Sequence, residues 1–443
     1  MVNTELKPEI SKHSIDTISL EPLSDSSKLS DQQIQAIEMA ANNHVCIITG
    51  GPGCGKTTVL KAIAKLFKKS GLRLKLTAPT GRAAQRLAEV CDHEAKTIHR
   101  LLKYDPSTKG FVHGQYDPLE VDAVILDESS MIDLELAKSL FLAIPKHARI
   151  LVVGDSDQLP SVGPGTVLSD LLKVKEISQI KLSQIFRREE ESLINHIAFK
   201  VNNSEVPKIP ILARPLNKEA YFLEIEDSKD GANKIEKLVS QFIPANYPYT
   251  HKDISVITPM NQGDLGVIAL NQKLQSKLVP KMEGMPWIKV NNLEFRMGDK
   301  ICQRVNNYKI DKNGVFNGEQ GEIIGIDAVG KKITVKMWDE RLITYPQETL
   351  HQIDLAYATS IHRSQGSEIP VVVMALHDSH YVMLEKQLIY TGITRAKKLL
   401  IVVGTKRALD IACKTSKSKK RNSDLDLRIE KELRDRTEIT VKD

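Results

Sequence analysis

A chain of 443 residues exceeds what one hydrophobic core organises, so two or three globular units are expected. Its 41% hydrophobic and 27% charged residues exclude a disordered chain, and a formal charge of +6 permits a nucleic-acid partner without requiring one. Five cysteines (Cys46, Cys54, Cys91, Cys302 and Cys413) make no C-x-x-C pair and suit a reducing, cytoplasmic setting, and the lack of a long apolar run argues against secretion or membrane spanning.

Residues 1–28 are polar, rich in Ser, Glu and Asp, and read as a loose lead-in. From Leu29 onward, largely unalternating apolar runs recur at 45–48, 74–77, 123–126, 150–153, 255–257, 371–374 and 399–403. Such runs, separated by helical stretches, predict an α/β chain whose strands are buried on both faces of parallel sheets. Most of them end in Gly, Pro, Thr, Asp or Arg, which puts polar clusters where open α/β sheets bind ligands. The strands fall into two groups, 29–180 and 181–413, and predict two lobes facing one another across a cleft. Within the first, 103–118 has turn signals at Asp105-Pro106, Lys109-Gly110 and Asp117-Pro118 and predicts an inserted β-hairpin. Within the second, 298–350 has Asn313-Gly314, Asn317-Gly318 and alternating runs, and predicts a small antiparallel barrel. Residues 414–443 open on a basic run, then place Leu425, Ile429 and Leu433 in the thin stripe of a short, solvated surface helix.

The run Gly50-Gly51-Pro52-Gly53-Cys54-Gly55-Lys56-Thr57, followed by Thr58, fits the phosphate-loop pattern G-x-x-x-x-G-K-[ST] between a strand and a helix. A glycine-rich turn there aims backbone N–H groups at an anion, at the positive end of the helix. Lys56 is then expected on the β- and γ-phosphates of ATP and the Thr57 hydroxyl on Mg²⁺. Asp127 and Glu128, adjacent at a strand end, point in different directions; one suits Mg²⁺ and the other the base that faces an attacking water. Gln158, also just past a strand, is placed to sense the γ-phosphate. Arg187 and Arg395 are candidates to complete the site from the second lobe, as arginines that stabilise charge on the transferred phosphoryl group.

The order of these clusters, with Leu29-Ser30-Asp31-Gln32-Gln33 ahead of the loop, resembles the RecD-like branch of superfamily 1 DNA helicases. Further matching blocks are Thr77-Ala78-Pro79-Thr80-Gly81-Arg82-Ala83-Ala84, Lys96-Thr97-Ile98-His99, Phe316-Asn317-Gly318-Glu319-Gln320-Gly321 and Ser360-Ile361-His362-Arg363-Ser364-Gln365-Gly366-Ser367-Glu368. The resemblance implies two RecA-like P-loop NTPase lobes, a hairpin acting as a pin that splits the duplex, and a barrel of SH3 type. It implies adenine contact by Gln33, ribose contact by Glu368, and phosphate contact by Gly51, Pro52, Gly53, Cys54, Gly55, Lys56, Thr57 and Thr58. It places Thr57 and Asp127 on the metal, Glu128 on the water, and Gln158, Arg187 and Arg395 on the γ-phosphate. Thr80, Arg82, Thr97, His99, Ser364 and Gln365 are implied to lie on single-stranded DNA. Hydroxyls and an amide among them suit phosphate and sugar contacts without sequence information. The activity implied is ATP-dependent 5′-to-3′ translocation and duplex unwinding in repair or recombination. The alternative is an ATP-gated DNA-binding subunit of a RecBCD-like nuclease complex that unwinds little alone. Stand-alone relatives commonly carry a large N-terminal extension, whereas only the short lead-in precedes the first motif here.

Overall fold

The protein is described here by a computed structural model covering residues 29–105, 107–183, 192–312, 314–416 and 423–440. Two parallel sheets carry it. In the first, the strand order is Ala95–Thr97, Leu74–Ala78, Ala123–Leu126, Arg149–Gly154, Val45–Gly50 and Ser178–Leu182, every pair parallel. The second runs Ala358–Ser360, Ile254–Thr258, Ile369–Leu376, Ala396–Gly404 and Ala220–Glu224, again all parallel. The central strands of both are apolar along their whole length because helices cover both faces; Ala123–Leu126 and Ile254–Thr258 are buried at every position.

The sequence runs mark these central strands, and four edge or near-edge strands escape them. Ala95–Thr97 and Ala358–Ser360 are three residues each, too short for a run to register. Ser178–Leu182 closes an edge of the first sheet and alternates in burial, with Ile180 in the apolar cluster and Gln179 and Lys181 outside it. In Ala220–Glu224 only the first three residues are buried.

Local signals fix the helices that flank the phosphate loop. Asp31–Asn42 begins at a capping box in which Ser30 Oγ accepts from Gln33 N and Gln33 Oε1 accepts from Ser30 N. Lys56–Lys69 buries Val59, Leu60, Ile63, Ala64, Leu66 and Phe67 on one face and turns its lysines outward.

Two antiparallel insertions accompany the parallel sheets. The hairpin is small: Tyr104–Asp105 pairs with Gly110–Phe111, and the rings of Tyr104 and Phe111 stand 5.3 Å apart beside His99. The barrel runs Leu342–Tyr345, Lys332–Met337, Gln320–Asp327, Lys300–Gln303, Ile353–Leu355, all antiparallel, so its last strand lies just past residue 350. Its core is continuous with one face of the second sheet: Ile323, Ile333, Val335 and Tyr345 share a cluster with Ile254, Val371 and Ile401. A second hairpin, Trp287–Val290 with Leu293–Arg296, was not anticipated; Lys281 Nζ sits 3.7 Å from the centre of the Trp287 ring.

The tail helix, Leu425–Thr440, is less solvated than its thin stripe suggests. Leu425 and Ile429 pack on the apolar cluster of the first lobe, and Lys173 Nζ reaches Asp170 Oδ1 and Asp426 Oδ2, each at 3.0 Å. The chain thus leaves the second lobe after Lys406–Lys414 and docks its end on the first. An exposed ion pair of this sort is a weak tie, screened by solvent. Asp426→Lys is therefore expected to speed amide exchange over residues 425–435 while moving the main melting transition by no more than about 2 °C; unchanged exchange would show that the ion pair does not hold the helix down.

Candidate nucleotide site between the lobes

The turn after Val45–Gly50 takes its shape from its glycines. Gly53 and Gly55 have φ of 78° and 76°, a region that favours glycine, and Gly55 precedes the helix without a side-chain cap. Lys56 Nζ lies over the loop, donating to the carbonyls of Gly50 and Gly51. These are features that suit a phosphate group: backbone N–H groups at a helix start and an ammonium beside them. A Cβ on Gly50 would stand 2.7 Å from Leu182 O, so this glycine also serves the close approach of two strands.

Asp127 and Glu128 follow the buried strand Ala123–Leu126. Asp127 is held by its own N–H to Thr77 O at 3.0 Å, and its Oδ1 accepts from Glu128 N at 2.8 Å. Glu128 sits at φ 52°, in the left-handed region that a non-glycine residue adopts only when its surroundings impose it. Burial first, then the charge of Glu128, push the Asp127 carboxyl above the usual carboxylate range, with Lys56 acting against them. These carboxylates line one cleft with Thr57, whose hydroxyl adds a further hard oxygen donor of the kind that suits Mg²⁺, which takes few protein ligands and completes its shell with phosphate and water.

The second lobe reaches this cleft through Arg395. The cleft, about 240 Å³, is lined by Gly51, Lys56, Thr57, Asp127, Glu128, Gln158, Glu368 and Arg395, among others. Arg395 is 5% exposed and spends its donors inside the protein: Nε to Thr391 O at 3.1 Å, Nη1 to Ser367 O at 3.1 Å, and Nη2 to Gln158 Oε1 at 3.2 Å. Burial lowers its pKa, and the carboxylates of Glu128 and Asp155 oppose that. Gln158 Nε2 donates to Asp155 Oδ2 at 3.1 Å, and Tyr390 Oη donates to the same oxygen at 2.8 Å. The peptide beyond Gln158 is gripped as well. Leu159 N donates to Thr391 Oγ at 2.9 Å, and Leu159 O accepts from Gln365 Nε2 at 2.9 Å. A larger cavity, about 850 Å³, shares Gln158 with the cleft and is walled by Asp170, Lys173, Glu385, Asp424 and Asp426, among others.

The other expected site residues lie as follows. Gln33 is buried, and its Oε1 is engaged in the capping box. Glu368 is at the cleft rim, paired with Arg86 at 2.6 Å and Lys397 at 3.4 Å. Thr80 and Thr97 use their hydroxyls as helix caps, accepting from Ala83 N at 3.3 Å and Arg100 N at 3.2 Å. Arg82 crosses to the second lobe, donating to Ser367 Oγ and Glu368 O, each at 3.2 Å. Ser364 is buried and donates to Ile361 O, whereas His99 packs on Tyr104 and Phe111, its pKa lowered by burial. Arg187 falls outside the described residues.

Four residues of the site were not singled out in the sequence: Asp155, Tyr390, Thr391 and Arg86. Each adjoins one that was. Asp155 follows Gly154 in the Gln158 block, Tyr390 and Thr391 precede Arg395, and Arg86 lies one helical turn past Arg82 on Gly81–Cys91. Helical spacing back from Arg395 and forward from Arg82 was the available signal.

Comparison with known proteins gives a consistent picture. Residues 33–164 match the AAA domain family, 270–337 the ATP-dependent RecD-like DNA helicase SH3 domain, and 355–403 the UvrD-like helicase C-terminal domain. The chain is 36% identical over 384 residues to the ATP-dependent RecD2 DNA helicase of Deinococcus radiodurans, covering 87% of this chain and 50% of that protein. It therefore spans about half the length of that relative. It is 27% identical over 419 residues to the RecBCD enzyme subunit RecD of Mycobacterium tuberculosis, covering 86% of this chain and 70% of that one. Among solved structures, Pif1 helicase from Candida albicans matches with a TM-score of 0.53 at 18% identity, covering 91% of this chain and 99% of that one. Pif1 helicase from Bacteroides, in complex with ADP-AlF3 and ssDNA, matches at 0.52 and 18%, covering 86% of this chain and 94% of that one. At these identities the structures speak to the fold alone.

The seam itself is open to a stability test. Thr391→Val keeps the volume but removes the acceptor for Leu159 N, leaving a buried donor unsatisfied. A loss of about 1 to 3 kcal/mol is expected in urea unfolding; a variant as stable as the parent would mean that the Leu159 peptide is not held there.

Proposed function

We propose that this chain, which is similar to RecD-like helicases, is an ATP-driven motor that moves 5′ to 3′ along single-stranded DNA and unwinds duplex DNA in repair or recombination. The observation that carries this reading is that Arg395, from the second lobe, lines the same cleft as Lys56, Asp127 and Glu128 and bonds Gln158 of the first. A plain nucleotide binder has no use for a buried arginine brought from another lobe. A motor needs one, because contacts made across the cleft can then depend on the terminal phosphate.

In this reading Lys56 and the loop residues from Gly51 to Thr58, through the backbone N–H groups among them, hold the phosphates, Gln33 the adenine and Glu368 the ribose. Thr57 and Asp127 would hold Mg²⁺, which when bound offsets phosphate charge. Glu128 takes the proton of the attacking water, and its imposed backbone angle keeps the carboxylate aimed independently of Asp127. Gln158, Arg395 and Arg187 contact the γ-phosphate, so the lobes draw together before hydrolysis and part after it. If each lobe grips the strand differently in the two states, the cycle becomes a directed step. One base-pair step costs on the order of 1.4 kcal/mol to separate, an undemanding load.

On the DNA side, Thr80, Arg82, Thr97, His99, Ser364 and Gln365 mark the strand's path. Because Thr80 caps Gly81–Cys91, its contact with phosphate would be made by the helix N-terminus it holds as much as by its hydroxyl. The hairpin at Tyr104–Asp105 and Gly110–Phe111 acts as the pin, supported by the packing of its rings on His99. The setting proposed is the cytoplasm; among the described residues no helix is long and apolar enough to cross a membrane. The second reading, an ATP-gated subunit of a nuclease complex, is favoured by the match to RecD subunits of RecBCD enzymes.

Strand displacement on duplexes with a 5′ or a 3′ tail separates the two readings: the motor unwinds the 5′-tailed substrate, and no unwinding of either by the purified chain would favour the subunit. Lys56→Ala is expected to abolish DNA-stimulated ATP hydrolysis and leave single-strand binding within about twofold; retained hydrolysis would remove the phosphate-loop assignment. Shortening the hairpin between Tyr104 and Phe111 should spare translocation and impair unwinding at least about tenfold, and equal loss of both would refute the pin.

A further inference from the structure

Tyr390 has no part in the roles assigned so far, yet its hydroxyl stands where three elements of the site meet. It is 2% exposed, in the last turn of the helix Lys386–Ile393, and donates to Asp155 Oδ2 at 2.8 Å. Asp155 is 1% exposed, and its carboxylate is filled by Tyr390, by Gln158 Nε2 at 3.1 Å and by Asp157 N at 3.0 Å. An amide side chain can be turned either way round. Here one end is fixed: with Nε2 committed to Asp155, Oε1 must face Arg395 Nη2, at 3.2 Å. Asp155 thus decides which end of Gln158 meets the arginine, and the Tyr390 hydroxyl decides where the Asp155 oxygen sits. The same hydroxyl also stands close beside the phosphate loop. A Cβ on Gly51 would stand 3.0 Å from Tyr390 Oη, and Gly51 O is one of the carbonyls that hold Lys56 Nζ.

We propose that Tyr390 is a positioning residue, linking the phosphate loop at Gly51 to the Asp155–Gln158–Arg395 chain so that a shift of the loop alters how Gln158 and Arg395 face the cleft. The proposal rests on the nucleotide reading of this cleft. It deepens that reading by giving the second lobe a close approach to the loop itself, in addition to any contact with a γ-phosphate. The end of this helix is a suitable lever: Tyr390 and Thr391 lie in its last turn, Arg395 follows two residues past its end, and Thr391 holds Leu159 N on the same seam. Burial, then the Asp155 charge, push the Tyr390 phenol well above its usual range, so the hydroxyl remains a donor across the working pH range.

Tyr390→Phe keeps the ring and deletes the donor. Two measurements then decide. In the protein without nucleotide, amide exchange over residues 155–161 should rise at least about threefold, because one of the ties on Asp155 is gone. In steady-state hydrolysis with single-stranded DNA, kcat should fall about tenfold, the scale of one lost hydrogen bond to a charged group, with KM for ATP within about twofold. Combined with Gln158→Ala, Tyr390→Phe should add no further loss, since both act through one amide. Unchanged exchange, an unchanged kcat, a KM effect without a kcat effect, or losses that multiply in the double variant would each overturn the proposal. Should the parent chain hydrolyse no ATP, the motor reading fails and the exchange experiment alone still decides the role of Tyr390.

Discussion

The constraint on which the rest of this structure depends is the burial of two opposite charges, Asp155 and Arg395, on either side of one amide. Taking either out of water alone would cost several kcal/mol. Neither is alone: Gln158 joins them, Tyr390 completes the carboxylate, and Thr391 and Ser367 carbonyls complete the guanidinium. The arrangement is satisfied only while the lobes touch. Tyr390 and Arg395 come from the second lobe and Asp155 and Gln158 from the first, so the network is complete only across the seam.

A related economy governs the glycines at the lobe contact. Gly81, in the Thr-Gly-Arg block, has no room for a side chain: a Cβ there would stand 2.6 Å from Phe316 Cβ, and Phe316 belongs to the barrel. Arg100 lies 5.6 Å from the Phe316 ring centre, and Tyr308 packs on its edge. Gly366, at φ 69°, brings a turn of the second lobe against Thr80. Both glycines permit close approach between lobes, and both lie within sequence blocks that could otherwise be read as DNA contacts. The barrel therefore serves two surfaces, sharing its core with the second sheet and resting one aromatic residue on the first lobe.

The polar residues near that contact are mostly engaged within the protein. Thr80 and Thr97 cap helices, Gln365 holds Leu159 O, Ser364 holds Ile361 O, and Arg82 holds the turn before Glu368. Residues of this kind shape a surface by fixing backbone. Their effect on a bound strand would pass through the N–H groups and turns that they hold in place.

Much of the first lobe's chemistry was legible without coordinates, because the phosphate loop and the Asp127-Glu128 pair are each continuous in the chain and follow strands whose burial is written as uninterrupted apolar runs. The hairpin and barrel were legible for a similar local reason, since turn residues bracket them. The short edge strands, the second hairpin and the docking of Leu425 and Ile429 were not, since their apolar content is slight and their partners are distant in sequence. Tertiary structure alone decided the pairing of Arg395 with Gln158, separated by 237 positions, and of Tyr390 with Asp155, separated by 235. Local propensity and periodicity determine which segments become strands, helices and turns; which buried donor meets which buried acceptor depends on how two finished lobes stack, and no local pattern encodes that.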